Sequence, residues 1–127
     1  MCHCEDSYLS VSNERSRAGG HFFLSLPPGY KQNGAIHAIS HVICNVMASA
    51  TENEITALYI KAREAVTICN ILVELGHKQQ PTLMQMDRET ADGLLQQKMQ
   101  SKRTKAMDMR FHWLSDRQQQ QQLNICW

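Results

Sequence analysis

At 127 residues, 43% of them hydrophobic, the chain is long enough for one domain with a single modest core and too apolar for outright disorder. Its formal net charge of +1 gives no global drive toward nucleic acid, so any anion binding must come from a local patch. No apolar run approaches the roughly 20 residues that a membrane span requires, and the N-terminus lacks the basic-then-apolar layout of a secretory signal, so the expected setting is intracellular, cytoplasmic or nuclear.

The first segment, "CHCEDSYLSVS", has strand character. Its Cys2, His3 and Cys4 could each bind a metal, but strand neighbours point to opposite faces and cannot readily share one ion. With Cys44, Cys69 and Cys126 the cysteines number five, an odd count without repeated CxxC spacing, which reads as reduced thiols. "NERSRAGG" is polar and ends in glycine, the composition of a turn. "HFFLSL" reads as a strand, "PPGYKQNG" as a loop and "AIHAISHVIC" as a further strand. Together these make an antiparallel meander.

The clearest helix follows, over Thr51 to Leu75. Ile55, Leu58, Tyr59, Ala62, Ala65, Val66, Cys69, Leu72 and Val73 recur at i, i+3, i+4 spacing. Ser49 or Thr51 is the expected N-cap and Gly76 the C-cap, with Glu52 and Glu54 in the first turn where the helix dipole favours acids. "TLMQMD" is a strand, and "ETADGLLQQKM" a short helix that Gly93 weakens. "AMDMRFHWLSDRQQQQQ" is a second good helix with Met107, Phe111, Trp113 and Leu114 on its apolar side. Its glutamine run, Gln118 to Gln122, reads as a solvated helix end. "LNICW" is a last strand. The predicted order is β-β-β-α-β-α-α-β in a single domain over residues 1–127, a mixed sheet with helices of the α/β or α+β kind. Because the sequence stops inside a strand, the domain is expected to be incomplete at its C-terminus.

Three acids stand out against this outline. Glu5 lies on the first strand. Glu54 falls at the rim of the long helix's apolar stripe, facing along the helix–sheet boundary. Asp87 ends the fourth strand, where a carboxylate cannot help a core. The chain order can bring all three to one sheet edge. Converging carboxylates repel one another unless cations neutralise them, and hard divalent ions with oxygen ligands, chiefly Mg²⁺ or Mn²⁺, do this. Two such ions about 4 Å apart activate a water and stabilise the leaving oxygen in phosphodiester cleavage. The alternative for Asp87 is a helix cap, since "DRET" is also a plausible helix start.

The stretches "EDSYLS", "SRAGGHFFLS", "NVMASATENEITALYIKAREAV", "ILVELGH", "TLMQMDRETADGLL" and "KRTKAMDMRFHWLSDR" resemble, in order and at compatible spacing, the ribonuclease H domain at the end of copia-type LTR retrotransposon polyproteins. That family shows an acid-small-x-aromatic opening, a Ser-Ser-x-Glu-x-Glu helix start, a strand ending in Asp-Asn and an Arg-Thr-Lys-x-x-Asp-x-Arg helix. The resemblance implies a ribonuclease H-like mixed five-stranded sheet with helices. It also implies two-metal hydrolysis of the RNA strand of RNA–DNA hybrids, with Glu5, Glu54 and Asp87 as metal ligands. The departures are specific. Glu5 replaces an Asp and is one methylene longer, Asp6 beside it belongs to the other strand face, and Arg88 stands where Asn is usual. The family's fourth carboxylate lies on a helix beyond the last strand, and Asp108 is an uncertain substitute for it. This copy is therefore expected to be degenerate.

Lys98, Lys102, Arg103, Lys105, Arg110 and Arg117 cluster in the last third, against Asp108 and Asp116. They suit phosphate contact, and they are also what a solvated helix face looks like. Lys98, Lys102, Arg103, Lys105 and Arg110 are the expected nucleic-acid contacts, with "ERSR" (Glu14 to Arg17) a second, smaller basic site. The implied partners are an RNA–DNA hybrid, read by shape and 2′-OH contacts, and the reverse transcriptase domain of the same polyprotein. The competing reading is a non-catalytic module that binds nucleic acid or a polymerase partner through the basic patch.

Overall fold

Strands β1 (Cys2–Val11), β2 (Arg15–Phe22), β3 (His37–Ile43), β4 (Thr82–Gln85) and β5 (Leu123–Cys126), with helices α1 (Ala50–Glu74) and α2 (Lys105–Gln119), make up the computed structural model. It describes residues 2–11, 15–24, 34–46, 50–85 and 105–126, and the backbone alone for 2–11, 50–51, 105–108 and 126. The mixed α/β organisation expected from the sequence is present. The helix expected over "ETADGLLQQKM" lies outside the described residues.

The strands form one sheet in the order β3-β2-β1-β4-β5. β1, β2 and β3 are antiparallel neighbours. β4 runs parallel to β1, and β5 parallel to β4. A parallel pair needs a crossover, and α1 is the crossover that returns the chain from the edge strand β3 to β4 beside β1.

β2 corrects the sequence reading. Arg15–Gly20, expected as a turn, is the body of a strand, whereas of the described part of "HFFLSL", His21 to Leu24, only His21 and Phe22 belong to it. Glycines and charges imitate a turn in composition, but here they alternate. Ser16, Ala18, Gly20 and Phe22 are buried, while Arg15, Arg17 and His21 are exposed. The small residues let α1 sit close to the sheet. A Cβ added at Gly20 would lie 3.3 Å from Lys61 Cγ, a side chain that is itself buried. Both edges of β2 are hydrogen-bonded, to β1 and to β3, so its backbone groups are satisfied as strand, which a turn would not achieve.

α1 lays Ile55, Leu58, Ala62 and Ala65 into a core shared with Phe22, Met84, Leu123, Ile125 and Leu114 of α2. Tyr59 and Trp113 meet edge to face at 5.3 Å where the two helices touch. The apolar stripe read from the sequence outruns this burial. Leu72 is half-buried and Val73 is 53% exposed, because the helix continues past the sheet. At its start α1 takes in Thr51, which therefore does not cap it. Ser49, the other expected N-cap, lies outside the described residues.

Both helices end in the same backbone device. After α1, Gly76 N–H bonds Val73 O and His77 N–H bonds Leu72 O, with Gly76 at φ 88. After α2, Gln121 N–H bonds Gln118 O and Gln122 N–H bonds Arg117 O, with Gln121 at φ 56. These are paired 5→2 and 6→1 closures around a left-handed residue. The glutamine run is thus a helix end and the turn that follows it. Thr82 N–H then bonds Gln122 O at 3.0 Å, tying this turn to the start of β4.

Candidate metal centre

The register of the sheet decides where the strand acids sit. Cys2 pairs with Phe22, Asp6 with Ala18 and Glu5 with Gly19. Phe22 and Ala18 are buried, and Ala18 packs in a cluster with Ala57 of α1 and Ile43. The face of the sheet that carries Ala18 and Phe22 is therefore the helix face. Position 6 belongs to it, and position 5 to the opposite, open face, whose β2 positions are Arg15, Arg17, Gly19 and His21. The same parity runs through β4 and β5. Met84, Leu123 and Ile125 are buried on the helix face, while Asn124, paired with Leu83, is exposed.

β1 also lies beside β4, with Cys2 level with Met84 and His3 level with Gln85. Glu5 thus stands on the strand adjacent to the one that leads into Asp87. Asp87 itself lies outside the described residues, two positions beyond the end of β4 at Gln85.

Glu54 is the fifth residue of α1 and is half-buried, with its Oε2 atom removed from solvent. This agrees with its place at the rim of the apolar stripe. Beside it in sequence stand polar groups that periodicity did not single out. Asn53 and Thr56 are both buried. Arg110 Nη1 donates to Thr56 Oγ1 at 2.9 Å, and the Arg110 guanidinium lies 5.9 Å from the centroid of the Tyr59 ring. A buried Asn and Thr interrupting the first apolar turn of a helix are the signal that could have pointed to this cluster, since buried polar groups require partners. Among the described residues no group of three or more His, Cys, Asp or Glu side chains is set to hold a metal ion.

The predicted phosphate contacts divide. Lys98, Lys102 and Arg103 lie outside the described residues. Lys105 opens α2, and Asp108 lies in that helix's first turn. Arg110 is half-buried and turned onto Thr56. Arg117 donates to Gln120 Oε1 and Gln122 Oε1, each at 3.1 Å, and its guanidinium lies 5.2 Å from the centroid of the Trp113 ring. Arg110 thus ties α2 to α1, and Arg117 braces the end of α2 and the turn after it.

The described residues form a mixed α/β arrangement, one sheet with two helices on one face. No family model matches the chain, and no solved structure matches it significantly. Among curated proteins it is similar to the retrovirus-related Pol polyprotein from transposon TNT 1-94 of Nicotiana tabacum. The two are 29% identical over 115 residues, which is 91% of this chain and 8% of that polyprotein. The similarity is to a region of a retrotransposon polyprotein, and the chain spans less than a tenth of its relative's length. No helix among the described residues is long and apolar enough to cross a membrane.

Proposed function

We propose that the chain is the ribonuclease H-like domain of a retrotransposon Pol polyprotein, and that it hydrolyses the RNA strand of an RNA–DNA hybrid with divalent cations held by Glu5, Glu54 and Asp87. The observation that carries this reading is the parallel pairing of β1 with β4. It sets the strand that carries Glu5 beside the strand whose sequence leads on to Asp87. Similarity to a Pol polyprotein across 91% of the chain supports the same reading, as does the element order.

The donor set fits a hard divalent ion. All three groups are carboxylates, and Glu54 offers an oxygen held away from solvent. When bound, Mg²⁺ or Mn²⁺ supplies charge neutralisation at the scissile phosphate and a water of lowered pKa. The protein's own part would be to hold Glu5 on β1, fixed by its two paired neighbours, and Glu54 on α1, fixed by Ile55 and Leu58; position 5 belongs to the face opposite α1, so a shared ion would have to sit at the rim of the sheet. Glu5 reaches one methylene further than an Asp would, which displaces one ligand and sets the expectation of slow turnover. Asp108, on α2, is the remaining candidate for a fourth acid.

A labelled RNA–DNA hybrid incubated with Mg²⁺ or with chelator tests this. Slow, chelator-sensitive cleavage is expected, lost in Asp87→Asn and Glu54→Gln and raised in Glu5→Asp. Hybrid binding without cleavage by either the native chain or Glu5→Asp would favour the non-catalytic binding module, a reading that the Glu at position 5 also suits. Cleavage indifferent to chelator would overturn the metal assignment.

A further inference from the structure

Lys61 is a buried cation that the site proposed above does not use. It is 3% exposed, and its stem crosses the helix face of β2, where a Cβ at Gly20 would meet Lys61 Cγ at 3.3 Å and Cδ at 3.4 Å. One turn earlier on α1, Ala57 packs with Ala18, so four residues of helix, about 6 Å, match two residues of β2. Side chains on a helix lean toward its N-terminus, which carries the Lys61 stem from the level of Gly20 toward that of Ala18. Leu58 and Ala65 on the same helix face are apolar and buried, as is the Ala18 cluster ahead of it. An ammonium is seldom buried without an opposite charge. The acids of α1 are badly placed to supply one. Glu64 is exposed and faces His37, with 3.7 Å between Oε2 and Nε2, and Glu54 stands two turns back, about 10 Å along the axis. The sheet offers another acid. Cys4 pairs with Gly20 and Asp6 with Ala18, so position 6 is on the helix face, diagonal to the glycine that Lys61 crosses. Diagonal cross-strand positions lie about 7–8 Å apart, within reach of long side chains.

We infer that Asp6 is the counter-charge of buried Lys61, and that this pair locks the register of β1 with Glu5 on the opposite face. Glu5 and Asp6 are adjacent acids, and a slip of one residue would exchange their faces. The apolar pattern does little to prevent it, because Cys2 to Ser7 reads "CHCEDS", without a clean alternation. A buried charge pair sets register where hydrophobicity does not. A slip in one direction brings Ser7 opposite Ala18 and leaves the ammonium without its partner. A slip in the other brings Glu5 there, one methylene longer, under a helix whose Lys61 stem already lies close against the sheet at Gly20. Lys61 is thus a positioning residue: by holding Asp6 inward it leaves Glu5 as the acid available outside the core. The bearing of this on catalysis rests on the function proposed above; the pair itself does not need cleavage to occur.

The test is a double-mutant cycle in the full chain, read by urea unfolding. Lys61→Met and Asp6→Leu each strand one buried charge and are expected to lower the folding constant by roughly a hundredfold or more, whereas Asp6→Leu/Lys61→Met, apolar at both positions, should come within about tenfold of the native chain. Should a single variant fail to fold, a folded double variant is itself the expected result. Costs that multiply in the double variant overturn the pair, as does a double variant that does not fold, or an equal rescue of Lys61→Met by Glu54→Gln. Register is read separately, by alkylation with iodoacetamide and peptide mapping. Position 4 shares the helix face with position 6, and a one-residue slip moves it to the other face; Cys69, half-buried on α1, is the internal reference. Unfolding raises both rates, and a slip raises that of Cys4 alone. The ratio of Cys4 to Cys69 labelling is expected to rise severalfold in Lys61→Met and to return in the double variant. Asp6→Asn, which keeps the side-chain shape, carries the same comparison if Lys61→Met does not fold. An unchanged ratio overturns the positioning role. Coupling and ratio as expected, beside no chelator-sensitive cleavage of the hybrid, support the pair and count against the proposed hydrolysis alone.

Discussion

On the helix face of the sheet, β2 buries Ser16, Ala18, Gly20 and Phe22; on the open face the same strand exposes Arg15, Arg17 and His21. Eight consecutive residues thus serve two purposes, divided by the period of two that any strand imposes. The helix face is where apolar area leaves water and where packing is tight, and stability resides there. The described residues of the open face contribute little to the core. Glu5 and Asp6, neighbours in sequence, fall on either side of this division, so which of them could meet a ligand follows from register and not from residue type.

The largest expected effect tests the division directly. Leu58→Ala and Leu114→Ala, each at a fully buried position, should cost on the order of 2–5 kcal/mol through lost burial and a residual cavity. Arg17→Gln, at an exposed site with one side-chain hydrogen bond, should stay within about 0.5 kcal/mol. Urea titrations of the three variants make the comparison. A cost for Arg17→Gln matching that of Leu58→Ala would mean that the open face is covered in solution.

Gly20→Val sharpens the boundary between α1 and the sheet. A Cβ at position 20 meets the stem of Lys61 at 3.3 Å, and the two further methyl groups have the helix in front of them. A cost of roughly 1–3 kcal/mol is expected from overpacking. A melt that did not move would show that α1 can lift from β2, and that the start of α1, with Glu54, is less firmly held than the fold implies.

Much of this architecture is legible in the sequence, for physical reasons that also explain what is not. The long helix announces itself because Ile55, Leu58, Ala62 and Ala65 repeat at helical spacing, and Gly76 marks its end because the left-handed position there suits glycine. Glu54 can be placed at the rim of the stripe by spacing alone, and it is half-buried. Arg15–Gly20 defeats local reading because what makes it a strand is pairing on both edges, with partners near and far in the chain. Val73 lies on the apolar stripe yet outside the core, because periodicity carries no information about where a sheet stops. Arg110 reads as a phosphate contact, but its hydrogen bond to Thr56 spans 54 residues of sequence, which no local pattern encodes. The face of the sheet to which Glu5 belongs becomes readable only once Asp6↔Ala18 fixes the register.

The smallest expected effect concerns how β5 is delivered to the helix face. The turn after α2 decides that Leu123 and Ile125 go inward and Asn124 outward, and its left-handed residue is Gln121, whereas the equivalent turn after α1 uses Gly76. A residue with a Cβ in that conformation carries a strain of about 1–2 kcal/mol that glycine avoids. Replacing Gln121 by Gly removes the strain but loosens the unfolded chain, which offsets part of the gain. The net expectation is a stabilisation of about 0.5–1 kcal/mol for Gln121→Gly and a loss of similar size for Gly76→Ala, whose φ is likewise positive. Thermal melts of the two variants should therefore move in opposite directions. If Gln121→Gly instead destabilised the chain, the Gln121 side chain would be making a contribution larger than its backbone strain. The nearby Arg117–Gln120 and Arg117–Gln122 hydrogen bonds would then be the first place to look, because they hold the two ends of the same turn together.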